Sequence, residues 1–250
     1  MPLYFIGLGL NNEKDITING LEVVKKCDVA YLENYTSILN CKKEDLEKFY
    51  NKKITFARRN VVEADDNEIL ENAKSKNVAF LVAGDPLVAT THIDLFLRAK
   101  KEGIMCNVIH NVSIITAVGM TGLQIYKFGK ITSIPLENEN IETPYDTLEG
   151  NLSLGLHTLF LLDLNPEEEK FMSINDAIRY LLKIEIKKNK KIFTEKTLCI
   201  GCARLGSENQ LIKAGAAKEL LKHNFGKPVH CLIVPGKLHF MEEEGLKIYS

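Results

Sequence analysis

Six consecutive apolar residues, Val78–Ala83, end at Gly84 and give way to Asp85 and Pro86. The run is too short for a buried helix. Without polar alternation it predicts a strand covered on both faces. Such strands belong to parallel sheets, and parallel neighbours need long crossovers, usually helices. The flanking sequence supplies both parts. Leu3–Ile6, Val29–Leu32, Ile54–Ala57 and Cys106–Ile109 read as strands. Thr17 can cap a helix reaching about Cys27, and Lys43–Tyr50, Asn67–Lys74 and Ile93–Lys101 read as helices. This alternation predicts an α/β fold with a largely parallel sheet.

The pattern resets after His110. Ser113 can cap a helix over Ile114–Met120, and Ile174–Ile186 has helical periodicity. Thr132–Ile134, Thr158–Leu162, Leu198–Ala203 and His230–Val234 read as further strands. We therefore expect two α/β lobes, residues 1–111 and 112–250, joined by a short link. A chain of 250 residues, 45% hydrophobic, has ample material for these cores. Its formal net charge of -1 lacks the basic surplus of a nucleic-acid or membrane-surface binder. No apolar run nears the roughly 20 residues of a membrane span, and the first residues lack a leader pattern. A cytoplasmic location is expected.

Cys199 and Cys202 form a C-x-x-C within an apolar run. On a strand, residues three apart face opposite sides, so the two sulfurs should diverge as buried thiols. The histidines lack metal-ligand spacing, and no metal site is expected. Lys187–Lys191 reads as a solvated helix end.

Chemistry in open α/β sheets sits beyond the carboxyl ends of strands. The first such loop, Gly7-Leu8-Gly9-Leu10, has Asn12 where a dinucleotide fingerprint needs its third glycine. Its glycines instead allow close backbone approach to a ligand. The second is Gly84–His92. Asp85 there either pairs with a ligand or forms a simple Asx turn. The third, His110-Asn111-Val112-Ser113-Ile114, suits either ligand binding at a helix start or ordinary capping.

These blocks together resemble the diphthine synthase family. Gly84-Asp85-Pro86 with Ala89-Thr90-Thr91-His92 looks like its signature loop. Tyr4–Leu10 with Lys14–Thr17, Tyr31–Ser37, His110–Ile114 and Gly122–Gly129 match in order. So do Gly155–Thr158 with Leu161–Asp163, and Pro228–His230. The resemblance covers nearly the whole chain.

The resemblance implies the two-lobed tetrapyrrole-methylase fold, a homodimer, and S-adenosylmethionine held between the lobes, with S-adenosylhomocysteine as product. The implied reaction is methylation of the amino group of a 3-amino-3-carboxypropyl histidine on translation elongation factor 2. By resemblance the cofactor contacts are Leu10, Asp85, Val88, Ser113, Ile114, Leu162, Leu205 and His230. His92 is the candidate to assist amine deprotonation, or else it shapes the loop. Glu142–Asp146, Pro235-Gly236 and Leu238–Met241 look archaeal in type, which implies trimethylation without a methyl ester. The rival readings are a precorrin or uroporphyrinogen methyltransferase of the same fold, a nicotinamide-dependent reductase, and a non-catalytic protein that binds elongation factor 2.

Overall fold

The computed structural model describes residues 1–63 and 67–250. It divides into two compact units, Met1–Ile115 and Thr116–Ser250.

The first unit runs β1 (Pro2–Gly7), α1 (Ile18–Lys26), β2 (Val29–Glu33), α2 (Lys43–Tyr50), β3 (Ile54–Ala57), α3 (Arg59–Glu63), α4 (Glu68–Ala73), β4 (Val78–Val82), α5 (Ile93–Lys101) and β5 (Met105–Ile109). The sheet order is β3-β2-β4-β1-β5, and every pairing is parallel. The apolar run Val78–Val82 is β4, the central strand of the sheet, buried at every position. Strand alternation divides its side chains between two layers. Val78, Phe80 and Val82 join Leu3, Phe5 and Tyr31 under Leu70 of α4 and Leu95 of α5. Ala79 and Leu81 join Ile6, Ala30 and Leu32 under Val24 of α1 and Tyr50 of α2. Thr17 caps α1, its Oγ1 accepting from Gly20 N at 3.0 Å.

This order creates a switch point. From β1 the chain crosses by way of α1 to β2, on the far side of β4. From β4 it crosses through α5 to β5, on the far side of β1. The two connections leave adjacent strands in opposite directions, so their end loops part at the carboxyl edge of the sheet. That is where ligands enter open α/β folds.

A short helix, α6 (Ile114–Ala117), spans the boundary in sequence. The predicted helix to Met120 changes there to a 3-10 turn over Val118–Thr121, ended by Gly122 at φ 87°. The second unit continues with β6 (Thr132–Ile134), α7 (Thr143–Ser153), β7 (Thr158–Leu162), β8 (Leu164–Asn165), β9 (Lys170–Phe171) and α8 (Ile174–Lys188). It ends with β10 (Leu198–Ala203), β11 (Leu211–Ala216), α9 (Ala217–Leu220), β12 (His230–Val234) and α10 (Phe240–Lys247). The main sheet order is β11-β10-β12-β7-β6, and only β6–β7 is parallel. The expectation of a largely parallel sheet therefore holds for the first unit and not the second. The turn at 204–210 between β10 and β11 is too short for a parallel crossover.

In β10, Cys199 enters the core beneath α8, while Cys202 faces the other side and pairs in register with Cys231. All six cysteines are free thiols. The basic cluster at the end of α8 is more than a solvated tip. Lys188 bridges Glu142 and Asp146, and Lys190 reaches Glu149, clamping α8 to α7.

Candidate active site

Three loops meet at the carboxyl edge of the first sheet. Past β1, Leu8 N donates to Val82 O at 2.8 Å. Gly9 and Gly84 then exchange two backbone hydrogen bonds, Gly84 N to Gly9 O at 2.7 Å and Gly9 N to Gly84 O at 3.3 Å. Gly7 shows why the loop is glycine-rich. A Cβ there would lie 2.6 Å from Gly84 O and 2.8 Å from Asn111 Cβ. Gly9 and Gly84 also adopt φ of 77° and 78°, which disfavours side chains.

The third loop is stapled to the other two by side chains. Asn111 Nδ2 donates to Gly7 O and to Asp15 O, both at 3.0 Å. Asp15 Oδ2 in turn accepts from Leu10 N and Asn11 N. Asp85 is buried, and both its oxygens are engaged. Oδ1 accepts from Leu87 N at 3.0 Å, closing an Asx turn. Oδ2 accepts from Asn111 N at 3.2 Å and lies 2.8 Å from His110 Nδ1. Of the two sequence alternatives for Asp85, the turn is present, and the carboxylate's side-chain neighbour is His110. The His110 side chain is 69% exposed.

His92 sits differently. Its side chain is fully buried, with Nδ1 3.1 Å from Pro86 O. The imidazole packs edge-on against Phe80 at 5.0 Å. Donation to a carbonyl places the proton on Nδ1 and leaves Nε2 as a buried acceptor without a partner. Burial pushes its pKa down to about 4. This environment assigns His92 to holding the Pro86 turn. In this arrangement neither ring nitrogen of His92 reaches solvent. Ala89, in the same loop, is held at φ 57°, a left-handed conformation that costs on the order of 1 kcal/mol for a residue with a Cβ. Beside this loop edge, Glu33 at the end of β2 is also buried. Its carboxylate accepts from Tyr35 N and from the backbone and hydroxyl of Thr36.

The remaining predicted residues fall on the edges of their own units. Leu10 and Val88 are half-buried in the first two loops, while Ser113 is buried and Ile114 half-buried at the start of α6. In the second unit, Leu162 ends β7, Leu205 follows β10, and His230 begins β12. Ala203 and His230 are ladder partners, and Cys231 pairs with Leu161. These residues therefore line one edge of the second sheet. His230 Nε2 lies 3.0 Å from Lys227 O, and its buried Nδ1 has no partner. Burial lowers its pKa.

Another histidine of the second unit, His157, is fully enclosed. Its Nε2 meets Glu242 Oε1 at 2.9 Å, and its Nδ1 accepts from Gly236 N at 3.0 Å. Glu242, fully buried on α10, also binds Lys127 and accepts from Gln124 N and His239 N. Burial works to raise its pKa, but these donors outweigh it and hold the carboxyl at about 2. Among the described residues, no group of three His, Cys, Asp or Glu side chains is placed to hold a metal, and no helix is long and apolar enough to cross a membrane.

Comparison with known proteins places this geometry among methyltransferases. Residues 2–221 match the family of tetrapyrrole (corrin/porphyrin) methylases. A diphthine synthase from Methanococcus vannielii is 48% identical over 98% of this chain and 97% of its own length. An Arabidopsis thaliana relative, named a probable diphthine methyl ester synthase, is 45% identical over 99% of this chain and 98% of its own. A solved diphthine synthase structure superposes with a TM-score of 0.92 at 38% identity, covering 100% of this chain and 96% of the other.

Proposed function

The chain belongs to the diphthine synthase family of tetrapyrrole methylases, an S-adenosylmethionine-dependent methyltransferase of diphthamide biosynthesis, and from that premise we propose that it trimethylates the amine of the 3-amino-3-carboxypropyl histidine on translation elongation factor 2. The observation that carries this reading is likeness over nearly the full length to diphthine synthases of Methanococcus vannielii and Methanocaldococcus jannaschii. A precorrin acceptor is not favoured, because the full-length relatives are named for diphthine chemistry.

We assign Leu10, Asp85, Val88, Ser113 and Ile114 of the first unit to the cofactor, with Leu162, Leu205 and His230 of the second. The residue types fit. Paired glycine loops expose backbone groups, and apolar side chains suit the adenine. The buried, partnerless Nδ1 of His230 offers one hydrogen-bonding position. Asp85 already receives its own chain's donors, so its loop would meet the cofactor mainly through backbone. The bound cofactor supplies an electrophilic methyl on a sulfonium. The chain's own task is to align the acceptor with it and exclude water. A homodimer is part of this reading, resting on the family resemblance alone.

A second reading adds a methyl ester on the carboxylate, and the Arabidopsis relative favours it. Intact-mass spectrometry of elongation factor 2 carrying the aminocarboxypropyl histidine, incubated with the protein and S-adenosylmethionine, separates the two. We expect three added methyl groups. A fourth, removable by mild base, would establish the ester. No addition, with cofactor binding confirmed, would overturn the substrate assignment.

A further inference from the structure

Amine methylation has a proton requirement that the reading above leaves unassigned. The acceptor enters as an ammonium, whose nitrogen has no lone pair. Each transfer must be preceded by loss of one proton. The nitrogen then attacks the methyl carbon, the carbon–sulfur bond breaks, and its electron pair leaves with the neutral thioether. Three transfers convert an ammonium to a trimethylammonium and release three protons. A side chain that accepts them in turn and passes them to water would speed each transfer.

We infer that His110 is this proton acceptor and that Asp85 is the residue that positions it, an inference that rests on the amine-methylation reading. His110 directly follows β5, beside the switch point. Its Nδ1 lies 2.8 Å from Asp85 Oδ2, whereas its ring is 69% exposed and the Asp85 side chain only 5%. A buried carboxylate against one ring nitrogen fixes the proton there and leaves Nε2 as the basic nitrogen. Nε2 therefore sits on the exposed part of a ring whose other side is anchored. Exposure also lets the imidazolium return its proton to solvent between transfers, as three successive deprotonations demand.

The anchor is itself rigid. Asp85 is held by Leu87 N and Asn111 N, and Asn111 is held through Gly7 O and Asp15 O. Asp85 is the charged group paired with His110. The nearby carboxylate of Asp15 is engaged by the Leu10 and Asn11 amides. His92, enclosed and bonded to Pro86 O, has none of these properties.

The test is single-turnover methylation of the aminocarboxypropyl elongation factor 2, followed by mass spectrometry across pH 6 to 10. The proteins are wild type, His110→Ala, His110→Asn and Asp85→Asn. For both His110 variants we expect losses on the order of 100-fold at neutral pH. The deficit should shrink at high pH, where the amine loses its proton unaided. Added imidazole should restore part of the rate to His110→Ala only. Asp85→Asn keeps an acceptor for Nδ1 but removes the charge, and should shift the pH at which the rate rises. Variants within twofold of wild type at every pH would overturn the inference. So would a loss that is uniform across pH and unmoved by imidazole, which would make His110 a loop-shaping residue. Wild type that binds S-adenosylmethionine yet adds no methyl to the amine would instead remove the substrate reading, and the inference with it.

Discussion

Each unit contains a carboxylate–histidine pair with a nearly identical contact, 2.8 Å for Asp85–His110 and 2.9 Å for His157–Glu242. What differs is water. In the second unit both side chains are fully buried, and both ring nitrogens of His157 are committed, to Glu242 and to Gly236 N. In the first unit only the carboxylate is buried. The enclosed pair ties the segment around Gln124 and Lys127 to α10. The open pair holds its histidine through Nδ1 and leaves most of the ring exposed. Chemically similar pairs thus serve stability in one unit and, on our inference, proton exchange in the other.

The sharpest way to break this comparison is to remove the enclosed carboxylate. Glu242→Ala would leave Lys127 without its ion pair and the Nε2 proton of His157 buried and unpaired. Removing one partner of a buried charged network costs about 3–5 kcal/mol. Urea unfolding should show a loss of that size. A cost below about 1 kcal/mol would mean that water replaces the carboxylate readily, and the contrast in burial would then carry no energetic weight.

Next in size is the acid behaviour of His92, the other enclosed histidine. Its folded pKa of about 4 lies below its ordinary value of 6.5 because burial disfavours the charged ring. With a depressed folded pKa, the unfolded chain binds the proton first. Stability is therefore intact above about pH 6.5 and is lost as pH falls toward 4. The shift corresponds to about 3 kcal/mol. Urea midpoints measured from pH 7.5 to 4 should fall more steeply for wild type than for His92→Gln, which cannot titrate there. Parallel curves would show that the His92 ring gains water on protonation, and so is not the closed counterpart of His110.

Much of the fold was legible because burial writes itself into strands. Val78–Val82 could only be a two-faced strand, and the alternation around it gave nearly every element of the first unit. The second unit was read less completely. β11, Leu211–Ala216, contains Gly215 and three alanine or lysine positions, so its edge location leaves little apolar signal. Its antiparallel order follows from a tight turn, which local propensity does not encode. At the site, the sequence marked the three loops and left Asp85 divided between ligand and turn. What it missed was the partner. His110 and Asp85 are 25 residues apart, and only the adjacency of β1 between β4 and β5 brings their loops together. His92 was left divided between assisting deprotonation and shaping the loop for a related reason. Sequence places it on the signature loop but does not say that its ring turns inward against Phe80.

The smallest expected effect discriminates most finely between the two pairs. His110→Ala removes a largely exposed ring, and Asp85 keeps hydrogen bonds from Leu87 N and Asn111 N. An ion pair with one exposed partner contributes about 0–1 kcal/mol. Its loss should move the urea midpoint correspondingly little, far less than Glu242→Ala. The loop would remain stapled through Asn111 to Gly7 and Asp15. Stability near wild type combined with a pH-dependent loss of methyl transfer would separate proton exchange from architecture in a single variant. A destabilisation matching Glu242→Ala would instead make Asp85–His110 a second structural clasp, and the difference in exposure between the pairs would no longer mark a difference in role.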